Sequence, residues 1–105
     1  INLKVIKIKT DNLRIPHVGW NKIKIKGRNN SLFDQIDHNK LFYFNHSYCV
    51  EKDNLMPNDA TDLVECDYGK PFISAIRIKN ICGIQPHPEK SQQQGLQILK
   101  NFVEN

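Results

Sequence analysis

Apolar residues recur at every second position in two Lys-rich runs near the start of this 105-residue chain, and at every third or fourth position at its C-terminal end. That change of period constrains the fold more than any other feature, because alternate residues share a face in a strand whereas i, i+3 and i+4 share one in a helix. In "LKVIKIK" (3–9) and "KIKIK" (22–26), Lys alternates with Val and Ile, as expected of strands with one solvated face. "LFYF" (41–44) reads as an aromatic strand core. Residues 62–66, 72–78 and 81–85 read as three further strands, with turn signals in "DYGKP" and at Lys79 and Asn80, and the last two suit a hairpin. Between strands, "NLRIPHVGWN" (12–21), with Pro16 and Gly19, reads as a turn-rich loop, residues 31–36 as one short helical turn, and "EKDNLMPNDATD" as a surface loop. The closing helix runs from about 92 to 104. Leu96, Leu99 and Val103, flanked by Ile98 and Phe102, form its apolar stripe, Ser91 with Gln94 fits a capping box, and Gly95 weakens the first turn.

Composition removes several classes of function. One domain's length with 39% hydrophobic and 25% charged residues is that of an ordinary globular protein. No apolar run approaches the ~20 residues of a membrane span, and the N-terminus lacks the zones of a signal peptide, so no membrane association and a cytoplasmic location are expected. The chain opens at Ile1, inside a strand-like run and without Met, as expected of a piece of something longer. Cys49, Cys66 and Cys82 form no CxxC and cannot all pair, so they read as reduced structural thiols. His46 and Cys49 stand three apart, but His17 and His38 are scattered singly, so no metal and no cofactor are expected. The net charge of +4 invites a nucleic-acid reading. Its lysines, however, fall on the wet sides of strands without interleaved aromatics, so no nucleic-acid partner is expected.

Two polar tails follow two apolar strands: Asn45, His46, Ser47 and Tyr48 after "LFYF", and Pro86, His87, Pro88 and Glu89 after "ICGIQ". In open α/β sheets ligands gather at the carboxyl ends of strands, so the two tails are candidates for one crevice. His87 and Glu89 are two apart between prolines that favour extended or turn geometry, so both can point to one side. A carboxylate on one ring nitrogen fixes the tautomer and raises the basicity of the other, as a general base requires. The residues alone allow a second reading, in which Pro88 and Glu89 open the helix and His87 is a loop residue. None of Cys49, Cys66, Cys82, Ser47 and Ser74 lies on a small-residue elbow of the kind that presents a nucleophile, so a catalytic His87 would lack its nucleophile within these 105 residues.

The ordered set "IPHVGWNKIKIK", "SLF", "FYFNHSY", "DYGKPFISAIR" and "NICGIQPHPEKSQQQGLQILKNF" resembles the C-terminal half of class I glutamine amidotransferases, from about residue 14 to Asn105. The likeness is greatest to the glutaminase subunits of imidazole glycerol phosphate synthases, which serve histidine biosynthesis. The resemblance implies an α/β fold: part of a flavodoxin-like, mostly parallel sheet with flanking helices and an antiparallel excursion made by the Lys-rich strands, with residues 1–105 as one partial domain. It implies a Cys-His-Glu triad that hydrolyses the side-chain amide of L-glutamine, with His87 as general base and acid and Glu89 as its orienting partner. Ser47 and Tyr48 would help hold glutamine, largely through backbone groups. Trp20, Asn21, Tyr43 and Lys90 would face a (β/α)8-barrel cyclase subunit in a heterodimer, into which the ammonia passes.

Two departures from the family's pattern stand out. Pro86 replaces an aromatic and removes a backbone N–H just before the His, which would shift the loop or end the strand one residue early. Asn45 replaces an apolar residue and needs a partner if buried. The nucleophile-bearing half of the family lies outside the sequence, so the chain alone is expected to be inactive and, with an open sheet edge, to self-associate. Two alternatives remain: an amidotransferase subunit for bacterial surface-sugar amidation, and a non-catalytic docking module.

Overall fold

The computed structural model describes residues 3–26, 31–37, 39, 41–52 and 60–104. The alternation of Lys with branched residues builds strands β1 (Val5–Lys7) and β3 (Lys24–Ile25), with the lysines exposed and Ile8 and Ile23 buried. Strand β2 is His17–Asn21, β4 is Phe42–His46, β5 is Tyr48–Glu51, β6 is Ala60–Tyr68, β7 is Lys70–Ile78 and β8 is Ile81–Ile84. Short 3-10 turns at Ser31–Phe33 and Pro88–Lys90 and one helix, α1 (Gln92–Glu104), complete the described elements.

The larger sheet has the order β1-β5-β7-β6-β3, with β8 also on β7. Strands β6 and β7 form a long hairpin that turns at Gly69, whose φ is +81°; a Cβ there would stand 2.7 Å from Thr10 Oγ1, so conformation and space both select glycine. The β7–β8 hairpin turns through Lys79 and Asn80, with Lys79 at a positive φ of 56°, the sense that matches strand twist. The far edge of β7 is divided: Phe72 and Ile73 pair with β5, Ala75 to Ile78 pair with β8, and the Gln85 N–H donates to the Ser74 carbonyl at 2.7 Å. Paired along both edges, β7 is also buried continuously from Phe72 to Ile76.

The α/β class expected from the sequence holds. Every pairing among the described strands is nonetheless antiparallel, so these residues contain the antiparallel part of the expected sheet and none of its parallel part. For β6–β7 and β7–β8 the reason lies in the connections, because turns of one or two residues can join only antiparallel neighbours.

A second, two-stranded sheet pairs β2 with β4. This corrects the loop expected over residues 12–21: only its first part is irregular, and from His17 the chain alternates inward and outward as a strand does. The surface loop expected from Glu51 is likewise shorter, since Glu51 ends β5 and Ala60 to Asp62 begin β6; residues 53–59 lie outside the described residues, as does His38. Phe42 and Phe44 of β4, Val64 of β6, Phe72 of β7, Leu32 and Ile98 form the centre of the core.

The helix occupies the residues its period predicts, but its stripe is turned. Leu96, Leu99, Phe102 and Val103 are exposed, while Gly95, Ile98 and Asn101 face inward. Close contact and hydrogen bonding set this roll. A Cβ at Gly95 would lie 1.8 Å from the Pro88 carbonyl oxygen, and Asn101 Nδ2 donates to the carbonyls of Leu32 at 3.0 Å and Asp34 at 2.7 Å. The expected capping box is absent too: Gln92 has a positive φ of 58°, and the Ser91 hydroxyl is used elsewhere.

Candidate active site

Strand β8 ends at Ile84, one residue before the expected boundary, and the buried Pro86 follows. Its missing N–H falls between two that are used, those of Gln85 on Ser74 and His87 on the Tyr43 carbonyl at 2.9 Å. The segment after Pro86 is thereby tied to β4. Ser91 Oγ completes the tie, accepting from the Tyr43 N–H at 3.1 Å and donating to the His87 carbonyl at 2.6 Å. His87 has extended backbone, and Pro88 opens the 3-10 turn that carries Glu89 and Lys90. Both sequence readings of this stretch are therefore realised: the prolines start a turn, and that turn brings His87 Nδ1 to 3.3 Å from Glu89 Oε2.

The pair is open to solvent, with the two side chains 35% and 63% exposed. The Glu89 carboxyl is held below its usual range, first by its own backbone N–H and then by His87. A carboxylate in contact with Nδ1 leaves Nε2 as the free nitrogen of the neutral ring. None of the three cysteines is activated. Burial pushes Cys49, Cys82 and Cys66 upward, Cys66 to about 12, so the structure offers no thiolate for His87 to serve.

Tyr43 links the pair to an outer aromatic face. In the β2–β4 register Trp20 lies opposite Tyr43, their rings edge to face at 5.6 Å; Lys90 Nζ stands 5.6 Å above the Tyr43 ring, and the His87 ring lies 6.4 Å from it. Four of the expected site residues (His87, Tyr43, Trp20 and Lys90) are thus brought together, with Glu89 attached through His87. Asn45, on the same face of β4, is exposed, so its amide meets water and does not need the buried partner anticipated from the sequence. Ser47 and Tyr48 stand at the other end of β4. The Ser47 carbonyl accepts from the Ile8 N–H at 2.8 Å, and the Tyr48 side chain is exposed.

The opposite face of the same ribbon holds residues that sequence reasoning missed. His17 and His46 are cross-strand partners, both buried, with Nδ1 of the first 2.8 Å from Nε2 of the second. His17 is stacked between Phe44, at 4.9 Å, and Tyr68, at 3.9 Å. Gly19 lies between His17 and Asn21 on this face, opposite Phe44, and has a φ of +129°, a conformation that glycine adopts readily. Burial, and secondarily His46, lower His17 to about 4; burial also lowers His46, against a bond to the Tyr48 carbonyl, and His87 adds a smaller lowering. Asn21 turns inward, donating to the Asp67 carbonyl at 3.0 Å and reaching His17 Nε2 at 3.4 Å. The available signal was the shared alternation of "HVGWN" and "FYFNH", which puts both histidines on the Phe44 side once the strands are paired. Among the described residues no three His, Cys, Asp or Glu side chains form a group able to hold a metal, and no helix is long and apolar enough to cross a membrane.

The family model for glutamine amidotransferase class-I matches residues 3–105. The chain is 46% identical over 93 residues to the imidazole glycerol phosphate synthase subunit HisH of Mannheimia succiniciproducens, covering 89% of this chain and 44% of that one. It is 43% identical over 104 residues to the protein of the same name from Blochmanniella floridana, covering 99% of this chain and 50% of that one. A third, from Photobacterium profundum, is 45% identical over 98 residues, covering 93% and 45%. The chain therefore spans about half the length of the curated relatives it matches, and it belongs to the class I glutamine amidotransferase family.

Proposed function

We propose that this chain is the His-Glu-bearing part of a glutaminase subunit that supplies ammonia to an imidazole glycerol phosphate synthase. The observation that carries the reading is the contact of His87 Nδ1 with Glu89 Oε2 on a segment bolted to β4 through Tyr43 and Ser91. In this reading Nε2 of His87 takes the proton from a cysteine thiol outside these 105 residues. The thiolate attacks the side-chain carbonyl of L-glutamine, and the imidazolium returns the proton to the departing amine, releasing ammonia and leaving a thioester. His87 then activates a water that hydrolyses the thioester to glutamate and frees the thiolate. Glu89 holds the imidazole in register and stabilises its charged form. Ser47 and Tyr48 hold glutamine, and Trp20, Tyr43 and Lys90 face the (β/α)8-barrel cyclase subunit in a heterodimer, while Asn21, turned inward, backs that face from the other side of β2. This reading implies a cytoplasmic enzyme of histidine biosynthesis and no cofactor.

Residues 1–105 act here as one partial domain, inactive alone because none of its cysteines is placed or activated as a nucleophile. Its exposed Leu96, Leu99, Phe102 and Val103 favour association with a second copy, which light scattering would detect as a dimer or larger species; a clean monomer overturns that part. The test of function is ammonia release from glutamine by this chain, alone and with the nucleophile-bearing segment of a close relative and the barrel subunit. Activity restored by the segment and abolished by His87→Ala is the expected result. If the pieces bind without turnover, a docking module replaces the glutaminase reading, and selective binding of a sugar-modifying synthase in place of the histidine-pathway barrel transfers the chain to surface-sugar amidation.

A further inference from the structure

Helix α1 has little apolar burial to hold it. Ile98 is its one buried apolar side chain, while Leu96, Leu99 and Phe102 lie on the outside. A helix seated by its apolar stripe would turn those residues in. Asn101 opposes that turn. Only 5% exposed, it donates both Nδ2 protons, to the Leu32 carbonyl at 3.0 Å and the Asp34 carbonyl at 2.7 Å, and its Oδ1 accepts from Gln97 Nε2 at 2.8 Å. Two carbonyls cannot donate, so these partners also fix which end of the amide is nitrogen.

The turn that receives this amide is itself held from the sheet. The Leu32 N–H donates at 3.1 Å to Oδ1 of Asp62, a fully buried carboxyl on β6, and Arg77 Nη1 of β7 donates to Ser31 Oγ at 3.2 Å. At its other end α1 meets the turn that carries the His–Glu pair. Gly95 stands against the Pro88 carbonyl, its N–H donates to the Ser91 carbonyl at 3.4 Å, and Ser91 Oγ donates to the His87 carbonyl. The helix therefore spans two 3-10 turns, one anchored in the sheet and one following His87.

We propose that Asn101 is a positioning residue for the reaction at His87: by tying α1 to the 31–34 turn, it fixes where the Pro88–Lys90 turn, and the imidazole before it, stands against β4. The proposal rests on the glutaminase reading. Asn101 lies towards the end of α1 remote from His87, so its effect reaches the imidazole through the helix. Hydrophobic attraction is non-directional, whereas an amide on two carbonyls fixes both the height and the angle of the helix that bears it. That precision matters to catalysis, since a reacting group displaced by about 1 Å loses on the order of 10²-fold in rate.

The test perturbs one end of the helix and reads the other. In the 105-residue chain, the N–H groups of His87 and Tyr43 bond to the Tyr43 carbonyl and the Ser91 hydroxyl. Asn101→Leu is expected to speed hydrogen exchange at both amides by about tenfold or more beyond any rise in the β6–β7 hairpin. A role confined to the helix end would change only the amides of 31–34 and 97–104, and that result overturns the proposal. In the assembly completed with the nucleophile-bearing segment and the barrel subunit, kcat for ammonia release is expected to fall about tenfold or more, with the KM for glutamine little changed. Adding Ser91→Ala is expected to lower kcat little further, because both changes loosen the same tie; losses that multiply overturn the link. Asn101→Gln keeps the amide on a longer stem and so displaces the helix end, and it decides the matter should Asn101→Leu fail to fold. Faster exchange at His87 and Tyr43 is expected there too, and wild-type rates at both overturn the proposal. Absence of ammonia release in the wild-type assembly sinks the glutaminase reading alone, and exchange at the two amides then still decides whether Asn101 holds the seat of His87.

Discussion

Two histidine pairs lie on this small fold, and they differ in nearly every physical respect. His87 faces Glu89 at 3.3 Å across a solvent-open turn, two residues apart in sequence. His17 faces His46 at 2.8 Å within the core, 29 residues apart, each ring surrounded by aromatics. The first pair has a charged orienting partner and a free nitrogen, which suits proton exchange with a substrate. The second has every ring nitrogen engaged, and burial keeps it neutral, which suits holding backbone in place. Chemistry and support are thus assigned by burial and partner, not by residue type.

Breaking each pair should give opposite signatures. The largest effect is expected for His87→Ala, which should lower ammonia release in the complemented assembly by about 10²–10⁴-fold while leaving the urea midpoint of the chain almost unchanged. His17→Ala should do the reverse to stability: losing a stacked, buried ring and orphaning an acceptor on His46 should cost about 4 kcal/mol in urea unfolding. Acid sharpens the contrast. With His17 at about 4 in the folded chain and 6.5 when unfolded, the unfolded state binds more protons between those values. Stability should therefore fall as the pH drops through 6.5 and level off below about 4, by about 3 kcal/mol at most for this group, and the difference between wild type and His17→Phe across that window isolates it. Ser91→Ala should cost about 1–2 kcal/mol by removing the hydroxyl between Tyr43 and His87, and should lower turnover with it. Glu89→Gln is the smallest case in stability because the residue is exposed, and its effect should appear in turnover alone.

The contrast also explains what could be read in the sequence. His87 and Glu89 are local, so spacing and prolines were enough to place them on one side. The Lys alternation gave the wet faces of β1 and β3, and the turn residues gave the β7–β8 hairpin and the turn between β6 and β7. The His17–His46 pair depends on which strand lies beside which, and Pro16 and Gly19 hid β2 by resembling turn punctuation, when Gly19 stands inside the strand with a φ of +129°. The helix was legible in extent but not in roll. Periodicity counts apolar residues, whereas the roll of α1 is set by a contact no apolar scale registers, Gly95 on the Pro88 carbonyl, and by an amide, Asn101, bonded to two carbonyls. The inward Asn101 and the outward leucines invert the usual assignment for the same reason.

Gly95 leaves no room even for a methyl group against Pro88, and Pro88 directly follows His87 in a turn bolted to β4. Rolling the helix about its axis and swinging the backbone of His87 are therefore one degree of freedom, not two. Whatever turns α1 re-aims the imidazole, so the histidine's bearing is set by a side chain that is not there.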